Sequence, residues 1–182
     1  MATPTEMRAA LATAPGSPLT IVNRPIPVPG AGEILVRVRA SGTNPLDLKI
    51  RAGEAAHARQ PLPSILGIDM AGSVAALGAD VTGFAIGDAV FGMVGGVGGH
   101  QGTLADFIAV DADLLAKKPA ALSFREAAAL PPCHCDRWRT RADRLRSRRT
   151  GRHRSAAAQV WLSGCTAPAA ATGRWPGTGT AG

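Results

Sequence analysis

The chain changes character at residue 132, and that break limits what can fold. Residues 1–132 carry 10 Lys+Arg against 11 Asp+Glu, whereas residues 133–182 carry 10 Arg, no Lys and 2 Asp. The formal net charge of +7 therefore belongs to the tail alone. All three cysteines (Cys133, Cys135, Cys165) and all three tryptophans (Trp138, Trp161, Trp175) follow the break. Every phenylalanine, asparagine and isoleucine precedes it. The tail holds one valine and two leucines, too little apolar area to offset the entropy of ordering a chain, so disorder is expected over 133–182. A packed core is expected from residues 1–132 only.

The length of 182 residues suits one domain or slightly more. The opening MATPTEMRAAL has no apolar stretch long enough for a signal peptide. No run approaches the ~18 to 20 apolar residues of a membrane helix. Residues 1–132 contain no cysteine, so disulfides do not hold them. A soluble cytoplasmic protein is the expectation.

Leu19–Val22 and Glu33–Ala40 read as strands. In the second, Ile34, Val36 and Val38 alternate with Leu35, Arg37 and Arg39, the period of a half-buried strand. NRPIPVPGAGE between them is a connection or an edge. SGTNPLDLKIRAG predicts a short helix, with Pro45 at its start, Gly53 at its end, and Leu46, Ile50 and the stem of Lys49 on one face. Ile65–Leu77 reads as one strand system that Gly72 interrupts with a bulge or a barrel corner. IGDAVFGMV and TLADFIAV read as further strands. SFREAAAL predicts a helix capped by Ser123 and Glu126. GGVGGHQG lacks the G-x-G-x-x-G spacing of a phosphate loop and opens no helix, so a flexible loop is expected there. His57 and His100 have no partner at a recognisable spacing and read as surface histidines. Short strands, Gly/Pro punctuation and few helices predict a small β-barrel-like domain rather than a doubly wound sheet.

GTNPLDLKIRAG, then PSILGIDMAGSVAALGADVTGFAIGDAVFG, then GTLADFIAVDADLLAKKPAALSFREAAALP, occur in the order found in the medium-chain dehydrogenase/reductase superfamily. The chain resembles the zinc-independent NADPH:quinone oxidoreductase-like branch, over roughly Met7 to Pro131. The resemblance implies a GroES-like β-barrel at 1–132, mainly β with short helices. In complete relatives a Rossmann domain follows and binds NADPH. Zinc-dependent relatives have a cysteine ligand where this chain has Asn44, and Gly-His-Glu where it has Gly67-Ile68-Asp69. Neither asparagine nor isoleucine supplies a thiolate or imidazole, so no zinc is expected.

The resemblance places Asn44 and Pro45 against the nicotinamide and substrate cleft. It makes Asn44, Asp47 and Lys49 the candidate catalytic residues. The Asn44 amide is able to donate to a carbonyl oxygen. Lys49 occupies a position where relatives often place tyrosine, and favours an anionic or polar substrate edge. Each has a plainer reading beside it. Asn44 serves as a helix N-cap, Asp47 complements the helix N-terminus, Lys49 is solvated, and Asp69 makes a structural hydrogen bond or ion pair.

Relatives continue after ALP with a stretch such as Ala-Thr-Ala-Thr-Ala and then a Gly-Asp-x-Val strand. One permissible coding of Cys133–Trp138 is TGC CAC TGC GAC CGC TGG, and one base over it reads Ala-Thr-Ala-Thr-Ala. A similar shift near residue 151 gives Gly-Asp-Thr-Val. The expectation is an out-of-frame tail, with the Rossmann domain absent, no tight NADPH binding, an exposed barrel face that favours aggregation, and an inactive product. A small quinone or enone is the expected substrate class, with no membrane partner. The alternatives are an Arg-rich nucleic-acid-binding tail and a metal site at Cys133-His134-Cys135, whose spacing is too tight for a chelating turn.

Overall fold

A computed structural model of the chain describes residues 5–130. The expectations for the arginine-rich tail, for Cys133-His134-Cys135 and for the proposed frame change therefore lie outside the described residues.

Eight strands and two short α-helices run in the order β1 (Glu6–Ala12), β2 (Thr20–Pro25), β3 (Glu33–Ser41), α1 (Pro45–Ala52), β4 (Ser64–Ile65), β5 (Asp69–Leu77), β6 (Ala89–Met93), β7 (Phe107–Asp111), β8 (Ala116–Lys117) and α2 (Phe124–Ala129). Single 3-10 turns lie at Ala56–Ala58 and Ala112–Leu114. The strands form a three-stranded sheet, β2-β1-β4, and a five-stranded sheet, β7-β3-β5-β6-β8, antiparallel throughout. Residues 104–106 stitch the two together. Leu104 accepts from Ala10 N–H at 2.8 Å, and Asp106 N–H donates to Arg8 at 3.0 Å. The Asp106 carbonyl accepts from Val38 N–H at 2.9 Å. This is the mainly β, GroES-like architecture expected from the sequence.

The alternation in β3 produces the main core. Ile34 and Val36 are fully buried and pack with Met70, Val74, Val90, Ile108, Val110 and Leu115. Each such side chain contributes roughly 1.5–3 kcal/mol by leaving water. Leu35 departs from the pattern and is buried too, whereas Arg37 is exposed. A second core gathers Ile50 of α1 with Leu66, Ile68 and Val97, and Leu46 packs against it. Lys49 is exposed. Helix α2 begins in the capping box expected of Ser123 and Glu126, and buries Ala127 and Ala128.

Two readings are corrected. Ile65–Leu77 is not one strand system. Ile65 belongs to the three-stranded sheet, and Asp69–Leu77 to the five-stranded one. The chain changes sheet at Gly67, whose φ is 103°, and a Cβ there would lie 2.3 Å from Thr103 Oγ1. That crossing brings residues 66–69 against α1. The glycine loop is not loose either. Val97 is buried, Gly98 N–H donates to the Ala58 carbonyl at 2.8 Å, and Gln60 binds Gly99 N–H and the His100 carbonyl through its two amide ends. The irregularity expected at Gly72 is present. The register shifts in β3 between Val38 and Ala40, opposite Gly72 and Ala71.

Candidate functional site

Sequence dictates where α1 starts. Pro45 supplies a fixed φ at the first turn, where its missing N–H costs nothing. Asn44 before it is extended, with φ −105° and ψ 136°, and caps the helix: its Oδ1 accepts from Leu46 N–H at 3.0 Å. Asp47 closes the capping box by accepting the Asn44 N–H at 3.1 Å. Gly53, with φ 80°, ends the helix by donating to Ile50 and Lys49. The plain capping roles foreseen for Asn44 and Asp47 are thus present.

The other end of the Asn44 side chain reaches across 25 residues of sequence. Its Nδ2 donates to Asp69 Oδ2 at 2.9 Å. Asn44 is 8% exposed and Asp69 only 1%. The Asp69 backbone carbonyl accepts from Gly42 N–H at 2.9 Å, and Ser41 Oγ and Thr103 Oγ1 each lie 3.2 Å from it. The two hydroxyls lie 2.7 Å apart, so one donates to the other and the second donates to the carbonyl. A polar seam therefore runs from α1 through Asp69 to the segment before β7.

Two carboxylates flank one amide in this seam. The outer oxygens, Asp47 Oδ1 and Asp69 Oδ1, are buried and accept no hydrogen bond. Burial disfavours the charged form and pushes the Asp69 carboxyl up to about 6; the Asn44 bond opposes this and the negative Asp47 reinforces it. Burial also raises the Asp47 carboxyl, against the pull of the Asn44, Gly67 and Ile68 N–H groups. Ion pairs lie elsewhere, among them Arg8 with Asp106 and Lys117 with Asp88.

The structure thus brings together Asn44 and Asp47 and adds Asp69, for which the sequence suggested only a structural bond. Pro45 and Lys49 stand exposed. The signal for Asp69 was its position: one carboxylate inside the apolar run ILGIDMAGSVAAL needs a buried donor. At the other end of α1, a groove of about 380 Å³ is lined by Ile50, Gly53, Ala55, Ala56, Arg59, Gln60 and Pro61.

A zinc ion does not fit this donor set. Position 44 offers an amide already committed at both ends, and Ile68 is fully buried in the second core. Zinc needs thiolate, imidazole or carboxylate ligands in a tetrahedral array. Among the described residues no three His, Cys, Asp or Glu side chains converge to hold a metal; His57 is exposed and His100 half-buried. No helix there is long and apolar enough to cross a membrane.

The alcohol dehydrogenase GroES-like domain family matches residues 30–120, and the chain belongs to that family. Its fold and motifs place it with the medium-chain dehydrogenase/reductases. A crystal structure of an alcohol dehydrogenase superfamily protein from Novosphingobium aromaticivorans is 58% identical with a TM-score of 0.68, covering 69% of this chain and 38% of that one. The quinone oxidoreductase of Coxiella burnetii is 36% identical with a TM-score of 0.62, covering 69% and 41%. The 2-methylene-furan-3-one reductase of Solanum lycopersicum is 39% identical over 108 residues, 54% of this chain and 26% of the relative. The chain thus spans well under half the length of these relatives.

Proposed function

We propose that residues 5–130 are the substrate-side half of an NADPH-dependent, zinc-independent reductase of quinones or enones. The observation that carries this reading is the Asn44 amide, fixed at a helix N-terminus and unable to serve as a zinc ligand. The names of the matched relatives, a quinone oxidoreductase and a furanone reductase, support the same substrate class. In such a reaction the reduced nicotinamide supplies the hydride. The protein's share is to bind and orient the acceptor and to meet the negative charge that grows on its oxygen. The remaining Asn44 N–H suits that oxygen. The uncharged amide leaves the acceptor's electrophilic carbon to be activated by hydrogen bonding alone. Lys49, exposed on the same helix, is on this reading available to a polar edge of the substrate. Reduced nicotinamide as the hydride source fits a cytoplasmic location.

Donor and acceptor must be held within about 3–3.5 Å for such a transfer. The described barrel offers only the acceptor's side of that contact. The reading therefore includes a change of frame near Pro132, which accounts together for the loss of periodicity, the arginine bias and the stray cysteines and tryptophans of 133–182. Two measurements test it. The purified 182-residue chain is expected to show no NADPH oxidation with 1,4-naphthoquinone, and robust turnover refutes the half-cleft reading. The gene across codons 128–160, read one base over, is expected to encode a strand and glycine turn; its absence refutes the change of frame.

A further inference from the structure

We propose that Asp69 is a positioning residue for Asn44: it holds the side-chain amide in one orientation and leaves a single N–H for an accepting oxygen. The catalytic consequence rests on the reading of Asn44 given above; the positioning itself does not.

An asparagine side chain has two N–H donors and one carbonyl oxygen. The Leu46 N–H at Oδ1 decides which end is oxygen, because a donor there requires an acceptor. One Nδ2 proton is given to Asp69 Oδ2 at 2.9 Å. The backbone of Asn44 is spent as well: its N–H goes to Asp47 Oδ2, and its carbonyl accepts from Asp47 N–H at 3.0 Å. One amide N–H remains. Turning the amide over would set Oδ1 against the Asp69 carboxylate and Nδ2 against the Leu46 N–H, two like pairs facing each other. Both bonds therefore hold the same orientation.

Asp69 is itself immobilised, through the Gly42 N–H and the Ser41–Thr103 hydroxyl pair on its carbonyl and its pairing with Met93 in β6. The groups packed around it come from five elements. α1 contributes Asp47, the end of β3 contributes Ser41 and Gly42, β6 contributes Met93, the segment before β7 contributes Thr103, and α2 contributes Ala128 behind Gly42. Of these only Asp47 is ionisable, and the other charged residues of α2, Arg125 and Glu126, are exposed. No cation and no donor but Asn44 meets the Asp69 side chain among the described residues. An apolar side chain would fill this volume without the cost of burying a carboxylate. What the carboxylate adds is its hold on the amide.

The chain has two asparagines, Asn44 and the exposed Asn23, so selective ¹⁵N-asparagine labelling gives two side-chain amide groups. In the 182-residue protein the two amide protons of Asn44 are expected to be split more widely than those of Asn23. Asp69→Asn keeps an accepting oxygen, adds a third labelled amide group to the spectrum, and is expected to preserve the Asn44 split. Asp69→Leu is expected to collapse it to the Asn23 value. An Asn44 split no wider than that of Asn23 in the unsubstituted protein overturns the proposal, even if the leucine variant fails to fold. So does a folded leucine variant with the split unchanged. Added 1,4-naphthoquinone is expected to move the second Asn44 proton. A wide split that ignores the quinone upholds the positioning and counts against the quinone reading.

Discussion

A carboxyl pushed up to about 6 inside a folded domain makes stability depend on pH. Asp69 holds its proton in the folded state to about pH 6, whereas in the unfolded chain it loses it near 3.8. Between these values the folded state binds more protons, so this contribution to stability falls as pH rises from about 4 to 6. Above 6 the buried charge is retained at a cost. Asp69→Asn removes the charge and keeps an acceptor for Asn44. The variant is expected to be more stable than the parent by roughly 1–3 kcal/mol at pH 8 and to lose that advantage by pH 4. Urea melts at the two pH values measure it, and an advantage that grows toward acid pH contradicts the assignment. At this scale the sequence was half legible. Asn44-Pro45 and Gly53 announced a capped helix because their chemistry is local. The bond from Asn44 to Asp69 was hidden, because only the crossing at Gly67 brings the two together.

Among the elements, those with local signals were readable and those defined by partners were not. β3 declared itself through alternating Ile34, Val36 and Val38, and α2 through Ser123 and Glu126. β1 went unread, because its buried residues, Met7, Ala9 and Ala12, sit in a stretch of alanines that carries little strand signal. β4 and β5 looked like one strand because both are apolar, and nothing in the run says that they join different sheets. Gly72 shows what the bulge demands. A Cβ there would come 2.3 Å from the Arg37 carbonyl oxygen and 2.7 Å from Val36 Cγ1. Gly72→Ala is expected to destabilise the domain by about 2 kcal/mol or more, since β3 and β5 meet along the centre of the sheet. Thermal unfolding of the variant checks this, and an unchanged melting temperature contradicts the close approach.

At the level of the whole molecule, two sheets joined through residues 104–106, the five-stranded one covered by α2, make a barrel that carries Asn44, Asp47 and Asp69 near one another. Its apolar residues are not all inside. Ile21 on β2, Val28, Leu48 on α1 and Ile86 are all more than half exposed. Leu48 shares α1 with the capped end that holds Asn44. On the proposed reading Asn44 is the donor for a carbonyl, and the reaction asks a dinucleotide-binding unit to supply the hydride. The most direct measurement joins residues 1–131 to the dinucleotide-binding half of the Novosphingobium aromaticivorans relative. NADPH oxidation with 1,4-naphthoquinone is then followed with and without a zinc chelator. The account predicts turnover that the chelator does not touch and that Asn44→Ala lowers by about 10². Turnover abolished by the chelator, or untouched by Asn44→Ala, contradicts it.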